Sequence, residues 1–263
     1  MTMCLYFVSF VQINSDLNFV RELLATLNEE FPFTAENGRD WVLLLICFYI
    51  TSLFLIAICF LMLKVLDANA AWSTEVMSRF ISIITPFKDR IYMIEQPWPV
   101  DFLEDLNQDL PMWIELKNTY NRELDILLFA DESMCTWEDV DKLLPFINGV
   151  NIKLEKTGGF RGALMAANAA SATGLHIWCG VMVGSCFGST ATSHLLDLVS
   201  EGADLDGSLL VAESSSLFHG GVVWSKSVDF QQPFGYIGWP SSGKVVGIGC
   251  LPNKSEPLIS LPV

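Results

Sequence analysis

Two consecutive strand–turn–helix units between residues 125 and 159 constrain the fold more than any other part of this sequence. Asp125–Phe129 is an apolar run of strand length that ends in an acidic turn. Trp137–Phe146 carries apolar residues at helical spacing, with Thr136 as its predicted N-cap. Val150–Leu154 is a second short apolar run before the next helix. Units of this kind in succession predict parallel strands, which hold functional side chains at their carboxyl ends.

The same alternation of strands and helices continues from Lys64 over most of the chain. Six strands are predicted, and the residues at their carboxyl ends are Asp67, Glu95, Asp131, Lys153, Gly180 and Asp204. This repeat predicts an α/β fold with a parallel sheet, of the (β/α) TIM-barrel type. Because a closed barrel of this type has eight strands, we predict an incomplete barrel.

The rest of the chain divides into three regions around a barrel domain at 64–207. Residues 1–40 are interpreted as remnants of an early barrel strand and helix. Residues 208–263 have frequent Gly, Ser and Pro and lack periodicity, so we predict that they form a C-terminal capping segment. Residues 41–63 have a different composition from all of these regions.

Residues 41–63 form a run of 23 residues without any charge, Gly or Pro. Its length and polarity are those of a transmembrane helix, which makes membrane attachment one interpretation. A buried core helix is the second, although a segment that is apolar on all sides suits the outside of a barrel poorly. The third is that the run is foreign to the fold, for example a retained intron. The sequence leaves these interpretations open.

Overall charge and cysteine content narrow the choice of partners and compartment. The formal net charge is −15, which argues against nucleic acid as a partner. The seven cysteines show no CxxC pair or zinc-finger spacing, so buried thiols in a reducing compartment are the favoured interpretation. We therefore expect the chain in the cytoplasm or an organelle interior, with membrane anchoring through 41–63 as the alternative.

Three carboxylates, those of Asp67, Glu95 and Asp131, close successive strands of the predicted barrel and should converge on one point. One acidic residue at a strand end more often caps the following helix, but several in register favour a function. Carboxylates that converge repel each other, and a hard divalent cation such as Mg²⁺ removes that repulsion. Lys153 closes the next strand. A lysine that is partly desolvated beside a metal can lose its proton near neutral pH and act as a general base.

Five short motifs at these strand ends resemble those of the enolase superfamily in order and spacing. They are DANAAW at 67–72, IEQP at 94–97, ADES at 130–133, NIKLEKTGG at 151–159 and ADLDG at 203–207. Within that superfamily the chain is similar to the muconate-lactonizing-like branch, and most similar there to the dipeptide epimerases of the L-Ala-D/L-Glu type. The resemblance covers about residues 64–249.

The resemblance implies a role for each matched side chain. Asp67, Glu95 and Asp131 match the Mg²⁺ ligands, Lys153 matches the acid–base lysine, Asp204 and Asp206 match the carboxylates that bind the free ammonium group of a dipeptide, and Met182 is expected to contact the substrate. The implied reaction is epimerisation, through an enediolate, at the α-carbon of the dipeptide's C-terminal residue. Lys156 lies beyond the strand, and we expect it beside the site rather than in the chemistry.

The sequence departs from the family pattern before the barrel domain. The family has a second lysine in a K-x-K motif shortly before Asp67, but Lys64 is the only lysine in residues 1–66. The family's N-terminal capping domain has no counterpart either, so we interpret the chain as truncated. Two alternatives to a two-base epimerase follow: a one-base lyase or cycloisomerase, and a membrane-anchored or degenerate barrel protein without catalysis. The sequence leaves homo-oligomerisation open.

Overall fold

The structure is a computed structural model that describes residues 65–103, 110–211, 217–224, 237–238 and 247–252. The predicted early remnant at 1–40, the apolar run at 41–63 and most of the segment at 208–263 lie outside these residues. Within the described ranges no helix is long and apolar enough to cross a membrane.

A parallel sheet of six strands forms the centre of the described chain. Its strands are β1 (Val65–Asp67), β2 (Met93–Glu95), β3 (Leu127–Ala130), β4 (Gly149–Lys153), β5 (His176–Gly180) and β6 (Gly202–Ala203). Each strand pairs in parallel with the next one along the chain, from β1 at one edge to β6 at the other. The curled sheet is part of a barrel wall, which confirms the predicted incomplete TIM-type α/β barrel.

Helices connect the strands and cover the outer face of the sheet. They are α1 (Thr74–Ile84), α2 (Leu110–Thr119), α3 (Asp139–Leu143), α4 (Leu154–Thr157), α5 (Phe160–Ala172) and α6 (Cys186–Ser193), with 3₁₀ turns at Thr85–Arg90, Leu196–Leu198 and Asp206–Leu210 and a π-helical turn at Tyr120–Leu124. Helix α4 begins directly after β4, and α1, α5 and α6 begin six or seven residues after the strand that precedes each of them. The connections to α2 and α3 are longer, because α2 begins 15 residues after β2 and α3 begins nine residues after β3.

One predicted helix begins later than its sequence pattern indicates. Helix α3 starts at Asp139 rather than Trp137, and Thr136 is not its N-cap. The Asp139 carboxylate instead accepts hydrogen bonds from the backbone N–H groups of Thr136 at 2.8 Å and Cys135 at 3.1 Å. An acidic side chain in the first turn thus satisfies donors before the helix, a role that the spacing of apolar residues does not reveal.

Alternate residues of each strand face opposite sides of the sheet, and two separate cores result. The inner face holds a small cluster of Val65, Met93, Phe129 and Trp178. The outer face contributes to a much larger core beneath the helices, through Leu66, Ile94, Leu128, Val150, Ile152 and Ile177. The helices therefore pack on the outer face of the sheet. The inner face, which they do not cover, holds polar residues at the carboxyl ends of the strands.

Gly149 leaves room for the ring of Phe129 on the inner face, so a larger residue at position 149 should destabilise the protein. A Cβ at this position would lie 2.3 Å from Phe129 Cε1. We expect Gly149→Ala to lower the free energy of unfolding by about 1–3 kcal/mol, because the ring must move. Urea unfolding followed by circular dichroism measures the loss. Gly184→Ala is the control, since the nearest atom to its added Cβ would be 3.7 Å away; equal stability of the two variants would contradict the prediction.

Two small antiparallel sheets follow the six-stranded one. Strand β7 (Phe218–Gly220) pairs with β10 (Cys250–Pro252), and β8 (Val223–Trp224) pairs with β9 (Ile237–Gly238). The β7–β10 sheet contacts helix α6. The Val222 N–H donates to the Thr190 hydroxyl at 3.0 Å, and the ring centroids of Phe187 and Phe218 are 4.9 Å apart. These contacts attach the later part of the chain to the helix that follows β5.

Candidate active site

The three predicted metal ligands lie at the carboxyl ends of β1, β2 and β3. Asp67 and Glu95 are the last residues of β1 and β2 and are paired across the sheet. Asp131 follows β3 immediately. Each comes two residues after a member of the inner-face cluster, and side chains two apart in a strand share a face. All three are buried, with exposed fractions of 6%, 3% and 2%.

Lys153, the last residue of β4, is buried beside these carboxylates. Its Nζ donates a hydrogen bond to Asp131 Oδ2 at 2.6 Å. Burial alone lowers the pKa of the Lys153 ammonium, but the carboxylates of Asp131 and Glu95 outweigh burial and hold the pKa above its ordinary value. The Lys153 ammonium is thus a counter-ion of the carboxylates. The neutral lysine expected from the sequence concerns Lys153 beside a metal ion, so it stays a prediction.

A second lysine, Lys156, contacts the same carboxylate. Its Nζ donates to Oδ1 and to the backbone carbonyl of Asp131, and to the carbonyl of Asn151 at 3.1 Å. Burial raises the pKa of Asp131, but Lys156 and Lys153 outweigh it and hold this pKa below its ordinary value. The sequence predicted Lys156 beside the site. It did not indicate the ion pair, which depends on the single turn of α4 turning Lys156 back toward the strand ends.

Glu95 receives a hydrogen bond from Asn151, whose role the sequence pattern did not indicate. Asn151 Nδ2 donates to Glu95 Oε1 at 2.6 Å. Gly180 on β5 makes the close packing possible, since a Cβ there would lie 2.8 Å from both Asn151 Oδ1 and Lys153 Cε. Burial raises the pKa of Glu95, and the negative charge of Asp67 raises it further. Asn151 comes two residues before Lys153 in the sequence, and this spacing places both side chains on the same face of β4.

Gln96 fixes the backbone that carries Asp131. It is fully buried and has a left-handed φ of 38°. Its Oε1 accepts hydrogen bonds from the backbone N–H groups of Asp131 at 2.9 Å and Ser133 at 3.2 Å. Its Nε2 donates to the Ser133 hydroxyl at 2.6 Å. Gln96, which follows Glu95 in the chain, thus positions the backbone at Asp131. This contact joins two strands, so the sequence alone does not show it.

The pKa of the Asp67 carboxyl is raised to about 7. Burial is the main cause, and the nearby carboxylates of Glu132 and Asp131 add to it. The Asn69 N–H donates to Asp67 Oδ1 at 2.8 Å and works in the opposite direction. Asp67 therefore carries a charge that the folded protein disfavours at neutral pH unless a cation compensates it.

We expect the metal-free protein to lose stability as pH rises from about 4 to about 7. A carboxyl whose pKa is raised by folding stabilises the folded state while protonated, and this contribution is lost as pH rises through the folded-state pKa. The rise in the pKa of Asp67 from 3.8 to about 7 sets this window. The lowered pKa of Asp131 has the opposite effect, but below this window.

Thermal unfolding between pH 4 and pH 7 in a chelating buffer measures this dependence. The Asp67→Asn variant should show a flatter profile than the unmodified chain. Asp141→Asn, a change at an exposed carboxylate in α3, should leave the slope unchanged. A melting temperature of the unmodified chain that rises over this pH range would contradict the prediction.

Asp204 and Asp206 follow β6 at the carboxyl end of the sheet. Both are buried, and the Asp206 N–H donates to Asp204 Oδ1 at 3.2 Å. Burial raises the pKa of both carboxyls, and the charge of Asp206 raises that of Asp204 further. The backbone of Met182 comes close to the same turn, since a Cβ on Gly207 would lie 2.4 Å from the Met182 carbonyl oxygen. Met182 is 48% exposed.

The donor set of the three carboxylates is suited to Mg²⁺, although Asp131 is engaged by two lysines. In the part of the chain that the structure describes, no three His, Cys, Asp or Glu side chains are grouped to hold a metal ion as they stand. The donors of Asp67, Glu95 and Asp131 are all carboxylate oxygens, which Mg²⁺ prefers. Burial raises the pKa values of Asp67 and Glu95 because it disfavours their ionised forms, and a bound cation would offset that negative charge. The chemistry of these three side chains therefore fits the ion, although their present arrangement does not group them around one point.

Curated relatives match the same part of the chain. An enolase superfamily member of Dictyostelium discoideum is 41% identical over 160 residues, which are 58% of this chain and 36% of the relative. The L-Ala-D/L-Glu epimerase of Bacteroides thetaiotaomicron is 33% identical over 147 residues, 56% of this chain and 35% of that enzyme. The chain thus spans little more than a third of the length of these relatives.

Solved structures share the fold. The dipeptide epimerase of Cytophaga hutchinsonii, solved with Mg and the dipeptide D-Ala-L-Val, has a TM-score of 0.60 at 21% identity, covering 95% of this chain and 62% of that one. The muconate lactonizing enzyme of Pseudomonas putida has a TM-score of 0.58 at 19% identity, covering 82% and 50%. At these identities the likeness concerns the fold alone.

The family model described as enolase C-terminal domain-like matches residues 63–223, which are more than half of the chain. The match includes the parallel sheet and the strand ends that carry the buried carboxylates and Lys153. The chain therefore belongs to the enolase C-terminal domain-like family, within the enolase superfamily.

Proposed function

We propose that this chain acts as a racemase or epimerase that removes the α-proton of a dipeptide. The observation that carries the proposal is a buried lysine, Lys153, held among the carboxylates of Asp131, Glu95 and Asp67 at the carboxyl ends of barrel strands. Relatives named as L-Ala-D/L-amino acid and L-Ala-D/L-Glu epimerases support the same reaction class. Because the chain spans only part of their length, the activity is proposed from its own residues.

Lys153 is the proposed acid–base group. As a neutral amine its Nζ would take the α-proton, and as an ammonium it would hold that proton beside Asp131. The neutral form requires that the carboxylate charge, which raises the pKa of Lys153, is offset. Asp67, Glu95 and Asp131 would hold Mg²⁺, which when bound would supply that offset and stabilise negative charge on the substrate's carboxylate.

Asp204 and Asp206 are the proposed binding site for the dipeptide's free ammonium group. Two buried carboxylates with raised pKa values are unfavourable together, and a bound cationic amine would compensate their charge. Met182, which is exposed beside the same turn, is proposed to contact the substrate. This arrangement favours a substrate with a free amino terminus over a simple hydroxy acid.

A one-base reaction is the second candidate function. Residues 1–66 contain no K-x-K motif. Lys156 is engaged with Asp131 and comes from the same strand-to-helix junction as Lys153, so it is poorly placed to serve the opposite face of a substrate. A lyase or cycloisomerase of the same superfamily would need Lys153 alone.

Exchange of the α-proton in D₂O tests the proposal. The full chain is incubated with Mg²⁺ and L-Ala-L-Glu, and the α-proton of the glutamate residue is followed by NMR. Exchange with inversion supports a two-base epimerase, and exchange without inversion supports a one-base reaction. A folded chain that produces no exchange would contradict both. N-acetyl-L-Ala-L-Glu is the second substrate, and an equal exchange rate with it would contradict the ammonium site at Asp204 and Asp206.

A further inference from the structure

Two cysteines that are distant in sequence meet where the β7–β10 sheet contacts helix α6. The sulfur atoms of Cys186 and Cys250 are 4.0 Å apart, although the residues are 64 positions apart in the chain. Cys186 is the first residue of α6, and Cys250 is the first residue of β10. Both side chains are partly accessible to solvent. This contact lies outside the group of carboxylates and lysines described above.

The surroundings of the two sulfurs hold them close together. Cys250 Sγ lies 3.3 Å from the Thr190 hydroxyl and 3.7 Å from the backbone carbonyl oxygen of Cys186. Cys186 Sγ lies 3.5 Å from the carbonyl oxygen of Phe218 on β7. Gly221 leaves room for Cys250, since a Cβ there would lie 2.5 Å from its sulfur. The thiols therefore meet at a packed junction between two elements rather than on a loose surface.

We propose that Cys186 and Cys250 form a dithiol site that closes reversibly to a disulfide. The sulfurs must approach from 4.0 Å to about 2.05 Å, and side-chain rotation covers such a distance when the two backbones already lie close together. Helix α6 and strand β10 are in contact, and Cys250 Sγ lies 3.7 Å from the Cys186 carbonyl oxygen, so the two backbones are near each other. The proposal does not depend on the proposed epimerase activity.

The oxidant would be a small disulfide such as glutathione disulfide. The thiolate of one cysteine attacks a sulfur of the oxidant, which forms a mixed disulfide and releases one thiol. The thiolate of the other cysteine then displaces the second thiol and closes the protein disulfide. The two cysteines lose two protons and two electrons, and the oxidant is reduced to two thiols.

The other described cysteines provide a contrast. Cys179 is buried on β5, and burial raises the pKa of its thiol to about 12, so it should react slowly. Cys135 is exposed, and its sulfur lies 3.5 Å from the carbonyl oxygen of Glu132. A disulfide between Cys186 and Cys250 would link β10 covalently to α6, the helix that follows β5.

Peptide mapping of the full chain tests the site. The protein is incubated with glutathione disulfide or with dithiothreitol, alkylated and digested. We expect a cross-linked Cys186–Cys250 peptide, two hydrogen atoms lighter than its two parts together, only in the oxidised sample. Later addition of dithiothreitol should restore alkylation of both cysteines. Cys135 serves as the internal control, since it should not appear in a cross-linked peptide.

The single variants Cys186→Ser and Cys250→Ser are the matched controls. Each should abolish the cross-linked peptide while circular dichroism shows an unchanged fold. Three results would overturn the proposal: both cysteines alkylated after oxidation, both found only as mixed disulfides with glutathione, or either one cross-linked to a different cysteine of the chain.

Discussion

Lys153→Met is expected to slow α-proton exchange in L-Ala-L-Glu by about 10²–10⁴-fold, the range that an acid–base group contributes. Methionine keeps an unbranched apolar side chain and removes the amine that would take the proton. The loss should appear in the rate at saturating dipeptide more than in the concentration needed for half-saturation, because the proposed dipeptide site lies elsewhere, at Asp204 and Asp206. NMR in D₂O with Mg²⁺ present measures both quantities.

Lys142→Met is the matched control for this experiment. The Lys142 side chain is 64% exposed and pairs with Asp139 on the surface of α3. In the Lys153→Met variant Asp131 still has Lys156 as a counter-ion, so the variant should fold, which circular dichroism checks. Exchange at the unmodified rate in a folded Lys153→Met protein would remove Lys153 from its proposed role.

Phe129→Ala is expected to lower the free energy of unfolding by about 3–5 kcal/mol, the usual cost of truncating a buried aromatic side chain. The ring has no exposed surface and belongs to the small inner-face cluster with Val65, Met93 and Trp178. So small a cluster has few neighbours that could move into the space left behind. Urea unfolding followed by circular dichroism measures the loss.

Phe160→Ala provides the comparison for Phe129→Ala. Phe160 is the first residue of α5 and is 39% exposed, so its truncation removes less buried surface and leaves no closed cavity. We expect a loss of less than about 1 kcal/mol there. Equal losses for the two variants would show that the inner-face cluster contributes less to stability than its burial indicates.

The positions of the charged residues at the strand ends could be predicted because they follow from local rules. An apolar run of strand length that ends in a charged residue indicates both the strand and its carboxyl end, as for Lys153 on β4. Because side chains alternate along a strand, Asp67 and Glu95 lie on the same face as Val65 and Met93 of the inner-face cluster. The incomplete barrel followed from the same repeat of strands and helices.

The contacts between these residues could not be predicted, because they depend on distances across the sheet. The single turn of α4 brings Lys156 to Asp131, and Asn151 on β4 donates to Glu95 on β2, with β3 between the two strands. The direction of the pKa shift of Lys153 is the clearest case. Burial lowers that pKa, as expected from sequence. The negative charges of Asp131, Glu95 and Asp67 outweigh burial and raise the pKa above its ordinary value.

The fit of the Phe129 ring over Gly149 restricts the order in which these two positions can change during evolution. A side chain at 149 collides with the ring while Phe129 is present, and a smaller residue at 129 leaves a hole until 149 is enlarged. Trp178 and Gly202 have the same relation, since a Cβ at 202 would lie 2.5 Å from Trp178 Cζ3. Every single step passes through a less stable protein, so we expect each large–small pair to be inherited together or exchanged together.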